Sequence, residues 1–154
     1  LEAARAARRG ASREEVCQAA LRVAGSVQLL FTVDTLEFLE RNGRIGKAAS
    51  LLGTLLSVKP IIHLDDGEVA PRDRVLGARR LLPRVMELMN EAVGSGAICA
   101  AVLHTDAHEK AKEWKREIEK EFKCKELIVN EVGPVVGTHA GPGAVGVAWH
   151  PCMG

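Results

Sequence analysis

Apolar and polar residues follow two rhythms along this chain, and the switches between them mark its elements. A spacing of three and four runs through Leu81, Leu82, Val85, Leu88, Met89 and Ala92, and again through Ala111, Trp114, Ile118 and Phe122. Each set predicts an amphipathic helix. Pro83 falls in the opening turn of the first, where its missing N–H breaks no helical hydrogen bond. Apolar and β-branched runs over 27–33, 61–64, 68–75, 97–103, 127–132 and 144–149 predict strands. Asp66-Gly67, between the second and third of these, supplies the positive φ angles of a tight hairpin turn.

Caps and stops sharpen the boundaries. An Ala/Arg-rich helix over 1–9 stops at Gly10, and Ser12 with Glu15 forms a capping box for a helix running to Ala24. Asp34 with Glu37, and Asp106 with Glu109, carry the same signature ahead of a short helix ended by Gly43 and ahead of the Trp114 helix. The most apolar stretch is 45–56, where Ile45, Ala48, Ala49, Leu51, Leu52, Leu55 and Leu56 predict a helix covered nearly all round, ended by Pro60. From residue 27 the order is β-α-α-β-β-α-β-α-β-β. That order predicts an α/β fold of α+β type, a two-layer domain with a mixed sheet of about six strands and helices packed on one face.

Charge removes some partners. The 154 residues carry 21 Lys plus Arg against 20 Asp plus Glu, a formal net charge of +1, so no long-range field marks the chain for nucleic acid. Arg72, Arg74, Arg79, Arg80 and Arg84 cluster locally, as a solvated face does or as a phosphate or partner site would. Cys17, Cys99, Cys124 and Cys152 are scattered without a C-x-x-C pair, which argues for free thiols over zinc or a disulfide framework and fits the cytoplasm. No apolar run reaches the roughly 20 residues of a membrane span, and the first residues lack the order of a signal peptide. The chain opens inside a predicted helix without methionine, as a piece of a longer polypeptide would.

Two segments could meet an anion. Residues 133–146 hold five glycines and read as a loop with exposed backbone N–H groups, in which Gly137, the Thr138 hydroxyl and the His139 ring can hold a carboxylate or phosphate. The plain alternative is a turn with a surface histidine. Arg44, in Asn42-Gly43-Arg44-Ile45-Gly46, stands at the junction of two helices and suits an anionic head group, or instead satisfies the carbonyls of the helix before it. His104, Asp106 and His108 resemble metal ligands in spacing, but Asp106 is read as an N-cap and no further ligand cluster exists. His63 and His150 are isolated and read as structural. The chain has no nucleophile elbow, P-loop or dinucleotide fingerprint.

Phe31-Thr-Val-Asp-Thr-Leu-Glu-Phe-Leu39, Asn42-Gly-Arg-Ile-Gly46, Leu51-Leu-Gly-Thr-Leu-Leu-Ser-Val-Lys-Pro60 and Gly133-Pro-Val-Val-Gly-Thr-His-Ala-Gly-Pro-Gly143 together resemble the DegV family, in the order that family has them. The resemblance implies a carrier and not an enzyme, with no cofactor and a long-chain fatty acid as ligand. The carrier would present the acid's carboxylate to the kinase subunit of a bacterial fatty acid kinase, feeding phospholipid synthesis, with transient contact at the membrane surface. Residues 1–26 correspond to a helical lead from an N-terminal domain that the chain lacks, and 27–154 to the C-terminal lipid-binding domain. The family's pattern places the head group at Gly137, Thr138 and His139, with Arg44 at the tunnel mouth. The apolar stretch suggests Ile45, Leu52 and Leu55, with Ile62, as tail contacts. A competing reading is a small hydrolase or transferase using His139 at an anion-binding loop.

Overall fold

The computed structural model describes residues 1–53 and 58–152. Among the described residues are six α-helices and six β-strands. Helices α1 (Glu2–Arg8) and α2 (Arg13–Ala24) precede strand β1 (Gln28–Thr32) and helix α3 (Glu37–Arg41). A hairpin of β2 (Val58–Asp65) and β3 (Glu68–Leu76) leads to α4 (Leu81–Val93), β4 (Ile98–His104), α5 (His108–Glu121), β5 (Cys124–Glu131), α6 (Pro134–Ala140) and β6 (Val145–Pro151). The Ser12–Glu15 box forms in both directions, and Pro83 sits in the first turn of α4. Asp66 and Gly67 turn the hairpin with φ of 51° and 81°.

The six strands form one mixed sheet in the order β3-β2-β1-β6-β4-β5. Only β4 and β5 run parallel, joined by the α5 crossover; every other pair is antiparallel. Strand β6, which follows the other five in the chain, is thus inserted at the centre, between β1 and β4. Alternation along the strands divides the apolar residues between two faces. Leu30, Val102, Val145, Val147 and Trp149 join Val85 and Met89 of α4 and Trp114 and Ile118 of α5 in the main core. Phe31 and Ile62 join Leu36 and Leu39 at α3, Ala48, Leu51 and Ala140 in a smaller core. Helix α1 is tied to β5 by an Arg5–Glu126 ion pair at 2.5 Å.

Several local expectations give way. Of the helix expected over 45–56, Gly46–Leu51 forms a 3-10 turn, and 54–56 lie outside the described residues. Gly46 has φ of 49°, outside the right-handed helical region, and lies so close to β3 that a Cβ would come within 2.6 Å of the Val69 carbonyl oxygen. That turn is not covered all round: Ala48 and Leu51 are buried, Leu52 is exposed, and Leu55 lies outside the described residues. Neither Asp34 nor Asp106 caps a helix. Leu36 and Ala107 hold those positions, while Asp34 is drawn to Lys59 and Lys110, and Asp106 turns with φ of 47°. The expected glycine-rich loop contains α6, with Pro134 in its first turn, a position suited to proline.

Candidate functional site

The site is built where β4 ends. Thr105, the residue after that strand, is buried, and its hydroxyl donates to the Gly141 carbonyl while accepting from the Ala144 N–H at 3.1 Å. Its backbone adds two bonds, Thr105 N–H to Ala144 O at 3.0 Å and Gly143 N–H to Thr105 O at 2.7 Å. One threonine therefore clasps both sides of the turn that carries the chain from α6 into β6. From the other side the Asn42 amide donates to the carbonyls of Phe38 and Thr138, at 2.8 and 3.1 Å, joining α3 to α6. A seven-residue helix is marginal alone, and these contacts fix it and the direction of His139.

Beside α6 opens a cavity of about 380 Å³ on the face of the sheet away from α4 and α5. Leu29 and Phe31 of β1, Leu103 of β4 and Gly146 of β6 line it, with Val136 and Ala140 of α6. Gly146 pairs with Phe31 on one side and Leu103 on the other, so the central strand presents no side chain between two large ones. The result is a trough. Its polar lining is Arg44, His104, Thr105 and His139. Leu64 and Val136, each more than half exposed, belong to the same lining.

His139 Nδ1 is buried and has no hydrogen-bond partner among the described residues. An unpaired buried nitrogen costs about 1–3 kcal/mol, a cost that a ligand oxygen would relieve. Arg44 is exposed, donates to the Gly43 carbonyl at 3.3 Å, and makes no ion pair among the described residues. His104, by contrast, is satisfied: Ala107 N–H donates to its Nδ1 at 3.4 Å, which leaves the ring proton on Nε2, 3.3 Å from His108 Nδ1. Asp34 stands just outside. Burial works to raise its pKa, but the hydrogen bond and charge of Lys110, then of Lys59, outweigh that and hold the carboxyl below its ordinary value. Lys110 also donates to the Gly143 carbonyl at 3.3 Å, linking this pair to the Thr105 turn.

The sequence-derived residues separate into two groups. His139 and Arg44 come together at the cavity. Gly137 is half-buried within α6, and Thr138 is exposed, its hydroxyl donating to the Pro134 carbonyl at 2.7 Å within the helix. That proton is already engaged, contrary to the expectation that Thr138 donates to a head group. Ile62 is fully buried and Ile45 half-buried in the smaller core behind the wall, and Leu52 is exposed. Sequence reasoning missed the trough residues Phe31, Leu103 and Gly146 and the Thr105 clasp. The parity of Leu103 and Thr105 along β4 was a signal for one face, but the partner strands could not be read from it.

A family model described as "Uncharacterised protein, DegV family" matches residues 1–151. The chain belongs to the DegV family. Among its DegV relatives, a DegV domain-containing protein of Deinococcus radiodurans is 40% identical over 152 residues, covering 98% of this chain and 54% of the relative. A fatty-acid-binding DegV family protein from Thermus thermophilus superposes with a TM-score of 0.91 at 31% identity, over 97% of this chain and 54% of that one. DegV of Bacillus subtilis, a fatty acid binding protein, gives 0.82 at 32% identity, over 99% of this chain and 55% of its own. The chain thus spans about half the length of the DegV proteins it matches.

Proposed function

We propose that this chain forms one wall of a fatty-acid site. The acyl tail lies in the trough over Gly146, between Phe31 and Leu103, and the carboxylate meets the His139 ring, with Arg44 at the rim. Gly137 and Thr138 hold the turn of α6 that aims His139, and Ile45 and Ile62 support the wall from behind. The observation that carries this reading is the apolar cavity whose few polar groups include an unsatisfied imidazole and an exposed guanidinium that makes no ion pair among the described residues. That combination suits an amphiphile with an anionic head. Each methylene buried contributes about 0.8 kcal/mol, so a long tail outweighs the cost of immobilising it.

The half of the relatives' length that this chain does not span would supply the opposite wall, with residues 1–26 as the lead into 27–154. In the whole protein the bound acid would present its carboxylate to a fatty acid kinase, which supplies the phosphoryl transfer while the carrier supplies placement. Native mass spectrometry of the whole protein tests the first claim: it should show retained fatty acid, and His139→Ala should lower the retained fraction severalfold. Empty protein, or retention indifferent to that substitution, would refute it. Acyl phosphate appearing only when kinase and ATP are both added tests the second.

A further inference from the structure

The two cysteines that sequence spacing kept apart meet in space. Cys99 and Cys152 lie 53 positions apart, yet their Sγ atoms stand 2.7 Å from each other. The β4–β6 ladder explains the meeting. Its last pairs set Cys99 against His150 and Ile98 against Pro151, and Cys152 continues it through an N–H to Ala97 O bond of 2.9 Å. Cys152 therefore sits on the same face as Cys99, one diagonal step away, just past the end of β6.

We propose that Cys99 and Cys152 are a redox modification site that closes to an intramolecular disulfide when a low-molecular-weight disulfide is present. A covalent S–S bond is about 2.05 Å, so the sulfurs need to approach by less than about 1 Å. Cys152 is half-buried and can be reached, and Cys99, itself buried, stands behind it beside a cleft of about 190 Å³ shared with Arg5, Glu126 and His150. Cys17 is exposed and open to the same reagent, and Cys124 approaches the Ile118 carbonyl, but the sulfur–sulfur contact found among the described residues is that of Cys99 with Cys152.

The chemistry proceeds in two exchanges. Cys152, as thiolate, attacks one sulfur of RS–SR; that S–S bond breaks, RS⁻ leaves and takes a proton, and Cys152 carries a mixed disulfide. Cys99 then loses its proton to solvent and attacks Cys152 Sγ, releasing the second RS⁻, which is protonated in turn. Two protein thiols are oxidised, and one RS–SR is reduced to two RSH. Burial, followed by the hydrogen bond to Cys152, pushes the Cys99 thiol up to about 12. Cys99 is buried and Cys152 only half-buried, so Cys152 is the entry point and Cys99 the resolving thiol.

The test uses oxidised glutathione as RS–SR. In a Cys17→Ser background, which removes the exposed thiol, the free-thiol count under denaturing alkylation should fall from three to one, and peptide mapping should find one fragment joining Cys99 to Cys152. A count that stays at three, a link through Cys124, or a persistent glutathione adduct in place of the bond would overturn the proposal. Cys99→Ala should instead hold one glutathione on Cys152, and Cys152→Ser, at a more exposed position, should lose the response while keeping the fold by circular dichroism. The bond closes a loop of about fifty residues, so the oxidised protein should melt roughly 5 °C or more above the reduced one. An oxidised form that melts no higher would show that the native sheet does not accommodate the bond.

Discussion

Phe31 lies directly across the sheet from Gly146, and a methyl group added to Gly146 would come within 2.6 Å of the Phe31 Cβ and 2.8 Å of the Leu30 carbonyl oxygen. The absence of a side chain on the central strand is therefore what leaves the trough open and lets Phe31 form its wall. Gly146→Ala should force these strands apart at a cost of about 1–3 kcal/mol, the usual range for an overfilled site. Equilibrium urea unfolding reads this directly, and an unchanged midpoint would mean that the wall yields freely. The same variant should retain less fatty acid, because its new methyl occupies the floor.

Thr105 makes the second prediction. Thr105→Val keeps the shape but removes both hydroxyl bonds, leaving the Gly141 carbonyl and the Ala144 N–H without their partner, and should cost about 1–3 kcal/mol. Thr105→Ser keeps the hydroxyl and should cost distinctly less. If serine and valine proved equally damaging, the methyl group rather than the clasp would be what matters.

Arg44 is exposed, so its contribution to a carboxylate is that of a surface ion pair, up to about 1 kcal/mol and screened by salt. Arg44→Ala should weaken fatty-acid affinity no more than about fivefold at low ionic strength, and the difference from the native protein should shrink as salt is added. Titration of a fluorescent fatty acid at two salt concentrations measures both. A salt-independent loss would assign Arg44 a packing role instead.

Asp34 yields a pH dependence. Its carboxyl is held below the ordinary value, so it binds fewer protons folded than unfolded near that value. The stability this confers is fully present above the ordinary carboxylate pKa of about 3.9 and is lost as pH falls through the lower, folded value. Because Asp34, Lys59 and Lys110 are all partly exposed, the effect should be under about 1 kcal/mol. Asp34→Asn should therefore be slightly less stable than the native protein at pH 7, and the two should converge at the acid end. A gap that widened on acidification would contradict the ion-pair account.

Legibility varied by element in a way that follows the range of the forces. The stripe through Ala111, Trp114, Ile118 and Phe122 names residues that are all buried, because one face of a helix is fixed by a period of 3.6 whatever it packs against. In contrast, the glycine-rich pattern predicts a loop where α6 forms, although Pro134 suits a helix start. Its stability rests on Asn42 and Thr105, which lie far away along the chain. His139 and Arg44 were legible as anion-binding candidates from residue type and from the family motifs. That both line one cavity was not, since it depends on how α3 and α6 pack: Gly141, with φ of 73°, leaves room for the Phe38 ring where a Cβ would collide.

By itself, the sequence determined what depends on near neighbours: the Ser12 capping box, the Asp66-Gly67 turn, the buried stripes of α4 and α5, and the ordered motifs that mark the family. Only the tertiary structure decided that β6 is inserted between β1 and β4, that Gly46 packs against Val69 at the head of a Gly46–Leu51 3-10 turn, and that Cys99 meets Cys152. The reason is physical. Caps, turns and helical periodicity are set within a few residues, whereas strand order and cross-chain contacts are settled by which distant surfaces bury each other best, and neither partner alone carries that information.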